Sequence, residues 1–265
     1  MRTGALLLLS LMFLSAQTKQ ERGRQIINDT LAALGGQRFL AMEDRVETGR
    51  AYSFYREQLS GLSRATIYTR YRKPSDPRAT GELLSDERQS FGKNEGSGAV
   101  LFAGGQGHEI TFRGARPVAA DRLERYRDTT LHNIFYILRV RLGEPGLIIE
   151  YRGAEIVDNL PVYSVDITDA DNRTVTVYIH QSSKLPARQI YYRRDPETRE
   201  RREELTIFGK YRDVGGGVQW PYDVERLRDG ERLFQMYADS VEVNTKPPGS
   251  LFELPSGIRV LKQMK

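Results

Sequence analysis

From residue 46 onward apolar and polar side chains alternate along much of the chain, and short clusters of glycine, aspartate and asparagine interrupt the alternation. A strand sends successive side chains to opposite faces, so the pattern predicts half-buried β-strands joined by turns. Residues 46–56 open the series with an aromatic run, Tyr52, Phe54 and Tyr55. In the next strand Ala65, Ile67 and Tyr71 share one face, with Arg64, Thr66, Tyr68 and Arg70 on the other. Residues 100–103 and 110–113 flank Gly104, Gly105 and Gly107, a hairpin signal. Further strands are predicted over 147–151, 162–167, 174–179, 188–192, 204–211, 218–227 and 232–243. Asp169-Ala170-Asp171-Asn172, Gly215-Gly216-Gly217 and Asp229-Gly230 supply turns between neighbours, and residues 74–77 and 246–249 are proline-containing loops. The count is about ten or eleven strands.

Two stretches change period. Ile27, Leu31 and Leu34 fall on one helical face, and Gly35-Gly36 ends that helix. Leu131, Ile134, Phe135 and Leu138 form a second stripe, with Asp121 as N-cap, Glu124 three residues on, and Gly143 and Pro145 closing the segment. Successive hairpins make an antiparallel sheet, and a sheet of this many strands curls rather than staying flat. The expected class is α+β: a curled antiparallel sheet, an incomplete β-barrel, with an N-terminal helix and a long amphipathic helix covering the concave face.

The N-terminus bears on compartment. Arg2 is basic, residues 5–14 are apolar except Ser10, and Ser15, Ala16 and Gln17 precede a charged stretch opening at Lys19. That order predicts a signal peptide over residues 1–17, cleaved after Ala16 or Gln17, ahead of a single domain over 18–265. The apolar run is short of the ~20 residues a membrane span needs. There are no cysteines, so disulfides, thiolate metal sites and a lipidated N-terminal cysteine are all excluded. The expected location is the periplasm, neither lipidated nor transmembrane.

Charge adds little. The net charge is +5 from 40 basic and 35 acidic residues, and the arginines are interspersed with acids. No nucleic-acid partner is expected from such a balance, although weak attraction to anionic head groups is. The histidines, His108, His132 and His180, are far apart, and no nucleophile elbow, P-loop or zinc-protease motif occurs. No catalytic residue, metal or cofactor is expected. A secreted hydrolase on a curled sheet would need convergent titratable groups in a cleft, and the sequence displays no such constellation.

Aromatic residues concentrate on the predicted strands. If one face curls inward, Tyr52, Phe54, Ile67, Tyr71, Val100, Phe102, Ile149, Ile207 and Trp220, with Leu131, Phe135 and Leu138 from the helix, line an apolar cavity; otherwise they form a filled core beneath that helix. Which face of each strand points inward depends on a register that one residue of slip reverses.

The last part of the chain carries a likeness. Tyr211-Arg212-Asp213-Val214 is followed by Gly216-Gly217-Val218-Gln219-Trp220-Pro221, then Val241-Glu242-Val243-Asn244 and Leu251-Phe252-Glu253-Leu254-Pro255. This resembles the closing segment of the LolA-like periplasmic lipoprotein carriers, and the preceding layout agrees. The resemblance implies a half-open β-barrel whose concave face, covered by helices, binds acyl chains of lipoproteins or free lipid. It implies a monomeric carrier or chaperone that sorts them to the outer membrane with a transfer partner in the inner or outer membrane. Such carriers latch the covering helix with an arginine, for which Arg50 and Arg56 are the candidates here. The alternative on the same fold is an envelope-sensing, protein-binding module, also non-enzymatic.

Overall fold

The computed structural model describes residues 17–72, 83–92, 98–195 and 198–262. All of the expected signal segment but Gln17 lies outside the described residues, as does the loop at 74–77.

Helix α1 (Lys19–Ala33) begins with a capping box: the Thr18 hydroxyl accepts from the Glu21 amide while the Glu21 carboxylate accepts from the Thr18 amide. It ends at Leu34, with Gly35 and Gly36 at positive φ. A single turn, α2 (Gln37–Leu40), leads to β1 (Asp44–Tyr55). Then come β2 (Gln58–Tyr71), β3 (Ser85–Phe91), β4 (Ala99–Ala103), β5 (Gln106–Thr111) and β6 (Gly114–Pro117). A helical passage follows: α3 (Ala120–Leu131), then α4 (Ile134–Tyr136), which runs into a π-helical turn, Ile137–Arg141. Strands β7 (Ile148–Val157), β8 (Leu160–Thr168), β9 (Thr174–His180), β10 (Pro186–Arg194), β11 (Arg201–Asp213), β12 (Gln219–Arg228) and β13 (Glu231–Val243) complete the chain, with a 3-10 turn at Gly249–Phe252.

The strands form one antiparallel sheet in the order β6-β5-β4-β3-β2-β1-β13-β12-β11-β10-β9-β8-β7. Every neighbouring pair is consecutive in sequence except β1–β13, which joins the two halves. The edges are β6 and β7, so the sheet curls without closing, and the helical passage that links those edges in sequence crosses the concave side. Both edges are covered, as free edges invite pairing with other chains. The C-terminal tail bonds β6 through Ala115, whose amide donates to Arg259 O and whose carbonyl accepts from Leu261 N. Helix α1 lies on β7, approaching so closely that a Cβ at Gly23 would sit 2.9 Å from the Tyr151 amide nitrogen.

Among the described residues thirteen strands exceed the expected count, β3 and β6 being the two not predicted. The missed β3 reads Ser-Asp-Glu-Arg-Gln-Ser-Phe; it is polar on both faces, so periodicity is blind to it. It is held by ladder bonds and ion pairs, Asp86 meeting Arg70 at 2.8 Å and Arg72 at 3.3 Å. The expected long helix is broken. His132 ends α3, and the Asn133 side chain caps a new helix by accepting from the Phe135 and Tyr136 amides. The N-cap of α3 is Ala119; Asp121 lies in the first turn and pairs with Arg125.

Candidate functional site

The concave face divides into two unlike halves. Under β7–β12 it is filled. Ile26, Ile27 and Leu34 of α1 and its cap, Phe39 of α2, and Ile134, Phe135, Ile137 and Leu138 pack against Ile149, Val165, Ile167, Val177, Phe208 and Trp220. The Phe135 ring lies 4.7 Å from Trp220 and 5.0 Å from Phe208. Under β1–β5 and β13 the face is only roofed. Helix α3 spans it, and of the α3 residues Leu131 alone is buried. Tyr126 stacks on Phe102 at 3.7 Å, and Leu123, Tyr126 and Phe91 pack around Val100, Phe102 and Val118. Phe91 continues into a second group, with Ile67 and Phe234 on Ala51, Ala65 and Met236. Ile67, Phe91, Leu123, Tyr126 and Phe234 all keep accessible surface although they face the sheet's interior. These partly exposed apolar side chains make this half of the concave face the candidate binding surface.

Polar side chains share this face. Arg45, buried, donates to Glu47, to the Tyr71 hydroxyl at 2.6 Å and to Thr69 at 3.1 Å, and its guanidinium lies over Trp220 at 4.1 Å. Glu87 accepts from the Gln89 amide at 2.6 Å. Burial pushes the Glu87 carboxyl up, against the pull of Gln89, Arg45 and Arg226. Burial also pushes up Tyr71, opposed by Arg45 and Arg139, and pushes Tyr126 well up, reinforced by Glu87. These groups are deep enough to be desolvated yet retain surface, as expected of side chains facing an enclosed space.

Two arginines fasten the helical roof. Arg139 donates to the carbonyls of Phe39 and Leu40, each at 2.7 Å, and to Met42 O. Arg141, buried, donates to Leu131 O at 2.6 Å and pairs with Asp169 at 2.9 Å and Glu144 at 2.8 Å. The backbone amide of Ile134 donates to Gln189 on β10 at 2.9 Å. The roof is thus pinned at α4 and the π-helical turn, and α3 is held at its start by the Val118 amide on Gly107 O and the Arg122–Glu109 pair, and near its end by Thr129 on Tyr191.

The structure sorts the sequence candidates by strand face. Ile67, Tyr71, Val100 and Phe102 face the concavity on the side that α3 crosses. Leu131, Phe135, Leu138, Ile149 and Trp220 are buried, all but Leu131 in the filled half. Tyr52 and Phe54 point the other way: β1 turns Arg45, Glu47 and Ala51 inward, so Tyr52 meets Tyr237 on the convex side and Phe54 lies beneath Arg232. Ile207 likewise points outward between buried Thr206 and Phe208. The latch candidates also move. Arg50 is exposed beside Asp239, and Arg56 sits in the β1–β2 turn; the fastening arginines are Arg139 and Arg141. They lie in a segment whose sequence signal is its apolar stripe, and nothing in their spacing marks them.

Among the described residues no group of three or more metal-ligating side chains converges, and no helix is long and apolar enough to cross a membrane. An open cleft of about 380 Å³ on the convex face is lined by Arg70, Arg72, Asp86, Gly104 and Phe252; its acid and its arginines are paired with each other.

No protein family is matched by the sequence, and no curated protein is significantly similar to it. Solved structures are similar in fold. A DUF1329 family protein from Desulfovibrio piger superposes with a TM-score of 0.58 at 10% identity, over 89% of this chain and 98% of that one. An outer membrane lipoprotein-sorting protein domain from Vibrio parahaemolyticus gives 0.57 at 9% identity, over 88% and 97%. A LolA superfamily protein from Nitrosomonas europaea gives 0.54 at 11%, over 87% and 97%. With the open curled sheet, its helical roof and the closing segment described above, these likenesses establish that the chain has a LolA-like fold.

Proposed function

We propose that the protein is a periplasmic carrier or chaperone that shelters acyl chains of lipoproteins or lipids in the groove beneath α3 and helps to sort them to the outer membrane. The observation that carries this reading is the contrast between the two halves of the concave face. One half is packed by three helical elements, whereas the other leaves Ile67, Phe91, Phe234, Leu123 and Tyr126 half-buried on the side that α3 crosses. An acyl chain exposed to water costs about 0.8 kcal/mol per CH₂, so a carrier across an aqueous compartment needs such a wall. One structural neighbour is described as a lipoprotein-sorting domain, which accords with this use of the fold. The role needs no catalysis, and the polar side chains of this face are occupied by hydrogen bonds among themselves.

The packed half favours a second reading, an envelope-sensing module that binds a protein and no lipid. Native mass spectrometry of the purified protein, followed by organic extraction and a fluorescent fatty-acid uptake assay, separates the two. Bound lipid that is lost in Ile67→Glu and Phe91→Glu variants supports the carrier. A clean apo mass with no uptake rejects it in favour of the sensor.

A further inference from the structure

The β1–β2 hairpin outruns the sheet. Strand β13 accompanies β1 only as far as the Ser53–Phe234 pair, and β3 accompanies β2 only from the Ala65–Phe91 pair, with one more bond from Gly92 N to Arg64 O. Among the described residues, the segment beyond is a two-stranded ribbon with no further ladder partner, turning at Arg56 and Glu57.

Three features of this ribbon run against local stability. First, its convex face carries a continuous apolar stripe. Leu59 is opposite Phe54 and Leu62 opposite Tyr52, and Leu59 and Leu62 are 57% and 59% exposed. Second, the next cross-strand pair on that face is Arg50 opposite Arg64; like charges directly opposed destabilise a sheet. Third, both turn residues have positive φ, 48° and 62°, a conformation that favours asparagine, aspartate and glycine. The hairpins at Asp158-Asn159 and Asp229-Gly230 use those residues, whereas this one holds an arginine and a glutamate. Sites where several local rules fail together, with no gain in packing, are where function is to be sought.

The order along the ribbon specifies the partner: an apolar stripe behind the Arg56-Glu57 turn, then a pair of arginines, with Arg56 over the Tyr55 ring and Arg232 over Phe54. Residues 50–64 hold three arginines, Arg50, Arg56 and Arg64, against one acid, Glu57. Apolar side chains enter the boundary between head groups and acyl chains, while guanidinium groups remain at the phosphates. We propose that the β1–β2 ribbon is a membrane-docking wedge that inserts Leu59 and Leu62 into a bilayer bearing anionic phospholipid, with Arg50 and Arg64 bound to its phosphates. The base of the ribbon adjoins the groove wall at Ala51, Ala65 and Phe234, so a docked molecule presents the groove to the bilayer. The proposal goes beyond the carrier reading and stands if that reading fails.

The test is co-sedimentation of the purified protein with phosphatidylethanolamine–phosphatidylglycerol vesicles and with phosphatidylcholine vesicles. Partition onto the anionic vesicles that weakens in high salt, falls about tenfold or more in a Leu59→Ser/Leu62→Ser variant and falls in Arg64→Glu supports the wedge. Both variants alter exposed side chains, and an unchanged melting temperature verifies their folding. Failure of the parent protein to sediment with anionic vesicles, or a serine variant that partitions like the parent, overturns the proposal and leaves the ribbon as a protein-binding element. Fatty-acid uptake is measured in the same variants and stays at the parent level, which keeps docking and carriage separate.

Discussion

The guanidinium of Arg139 lies 4.1 Å above the ring of Tyr71, joining the π-helical turn of the roof to the second strand of the sheet. The same guanidinium donates to the carbonyls of Phe39, Leu40 and Met42 at the end of α2. One side chain therefore holds three separate parts of the fold around the concave face.

Removing it takes the charged donor from those carbonyls, of which Phe39 O keeps the Met42 amide at 3.4 Å. Arg139→Ala should destabilise the protein by about 3 kcal/mol, since charged hydrogen bonds are lost and buried acceptors are left unpaired. Arg139→Lys should recover little, because an ammonium lacks the planar fork that both stacks and donates. Urea unfolding of the two variants measures this, and a lysine variant as stable as the parent would rule out the latch.

The opposite fastening is ionic and depends on pH. Burial opposes the charge on Asp169, but hydrogen bonds from Arg141 and from the amide and guanidinium of Arg173 prevail and hold its carboxyl below the usual range. A carboxyl depressed in the fold stabilises above its unfolded pKa, and that contribution disappears as pH falls through the folded pKa. Asp169→Asn should cost about 3 kcal/mol at neutral pH by leaving Arg141 underpaired. The gap between variant and parent should close in strong acid, as thermal melts across the acid range will show.

His132 acts in a milder range. Its ring stacks on Tyr191 at 4.2 Å, and Nδ1 donates to Asp128 O at 2.7 Å. Burial lowers its pKa, with the Asp128 carbonyl opposing and Arg173 adding to the shift. The unfolded chain then takes up the proton first, so folding stability falls as pH drops below about 6.5. His132→Phe keeps the stacking and should flatten the melting-temperature profile between neutral and mildly acidic pH. An unchanged slope would locate the dependence elsewhere.

Gly23 tests the cover over the β7 edge. Any side chain there meets the backbone of Ile149 and Tyr151 at about 3 Å, so Gly23→Leu must lift α1. The expected loss is about 2 kcal/mol, accompanied by concentration-dependent association through the uncovered edge. Denaturation and light scattering read the two effects separately.

The assignment of faces yields a paired prediction. Ile67→Glu places a charge in the groove and should abolish fatty-acid uptake. Ile207→Glu, on the convex side, should leave uptake unchanged. Equal effects from the two variants would show that the groove is not where the probe binds.

Much of this architecture was legible in the order of residues. Alternation over β1, β2, β8, β9 and β11–β13, the glycine stop after α1 and the closing segment around Trp220 and Asn244 were sufficient for a curled antiparallel sheet with a LolA-like likeness. Those signals are local, arising within a strand or a turn, so one chain segment carries each of them. The polar strand β3 gave no such signal, because its side chains are satisfied by Arg70, Arg72 and other partners brought from elsewhere. The break at Asn133 was hidden inside a continuous apolar stripe that both helices share. Which side of β1 faces inward was decided by its pairing with β2 and β13, and that register sent Tyr52, Phe54, Arg50 and Arg56 out to the ribbon while Ile67 and Tyr71 went inward. Since strand side chains repeat every two residues, composition cannot distinguish the two faces. Only tertiary packing determined that one half of the concavity is filled while apolar side chains in the other half keep accessible surface.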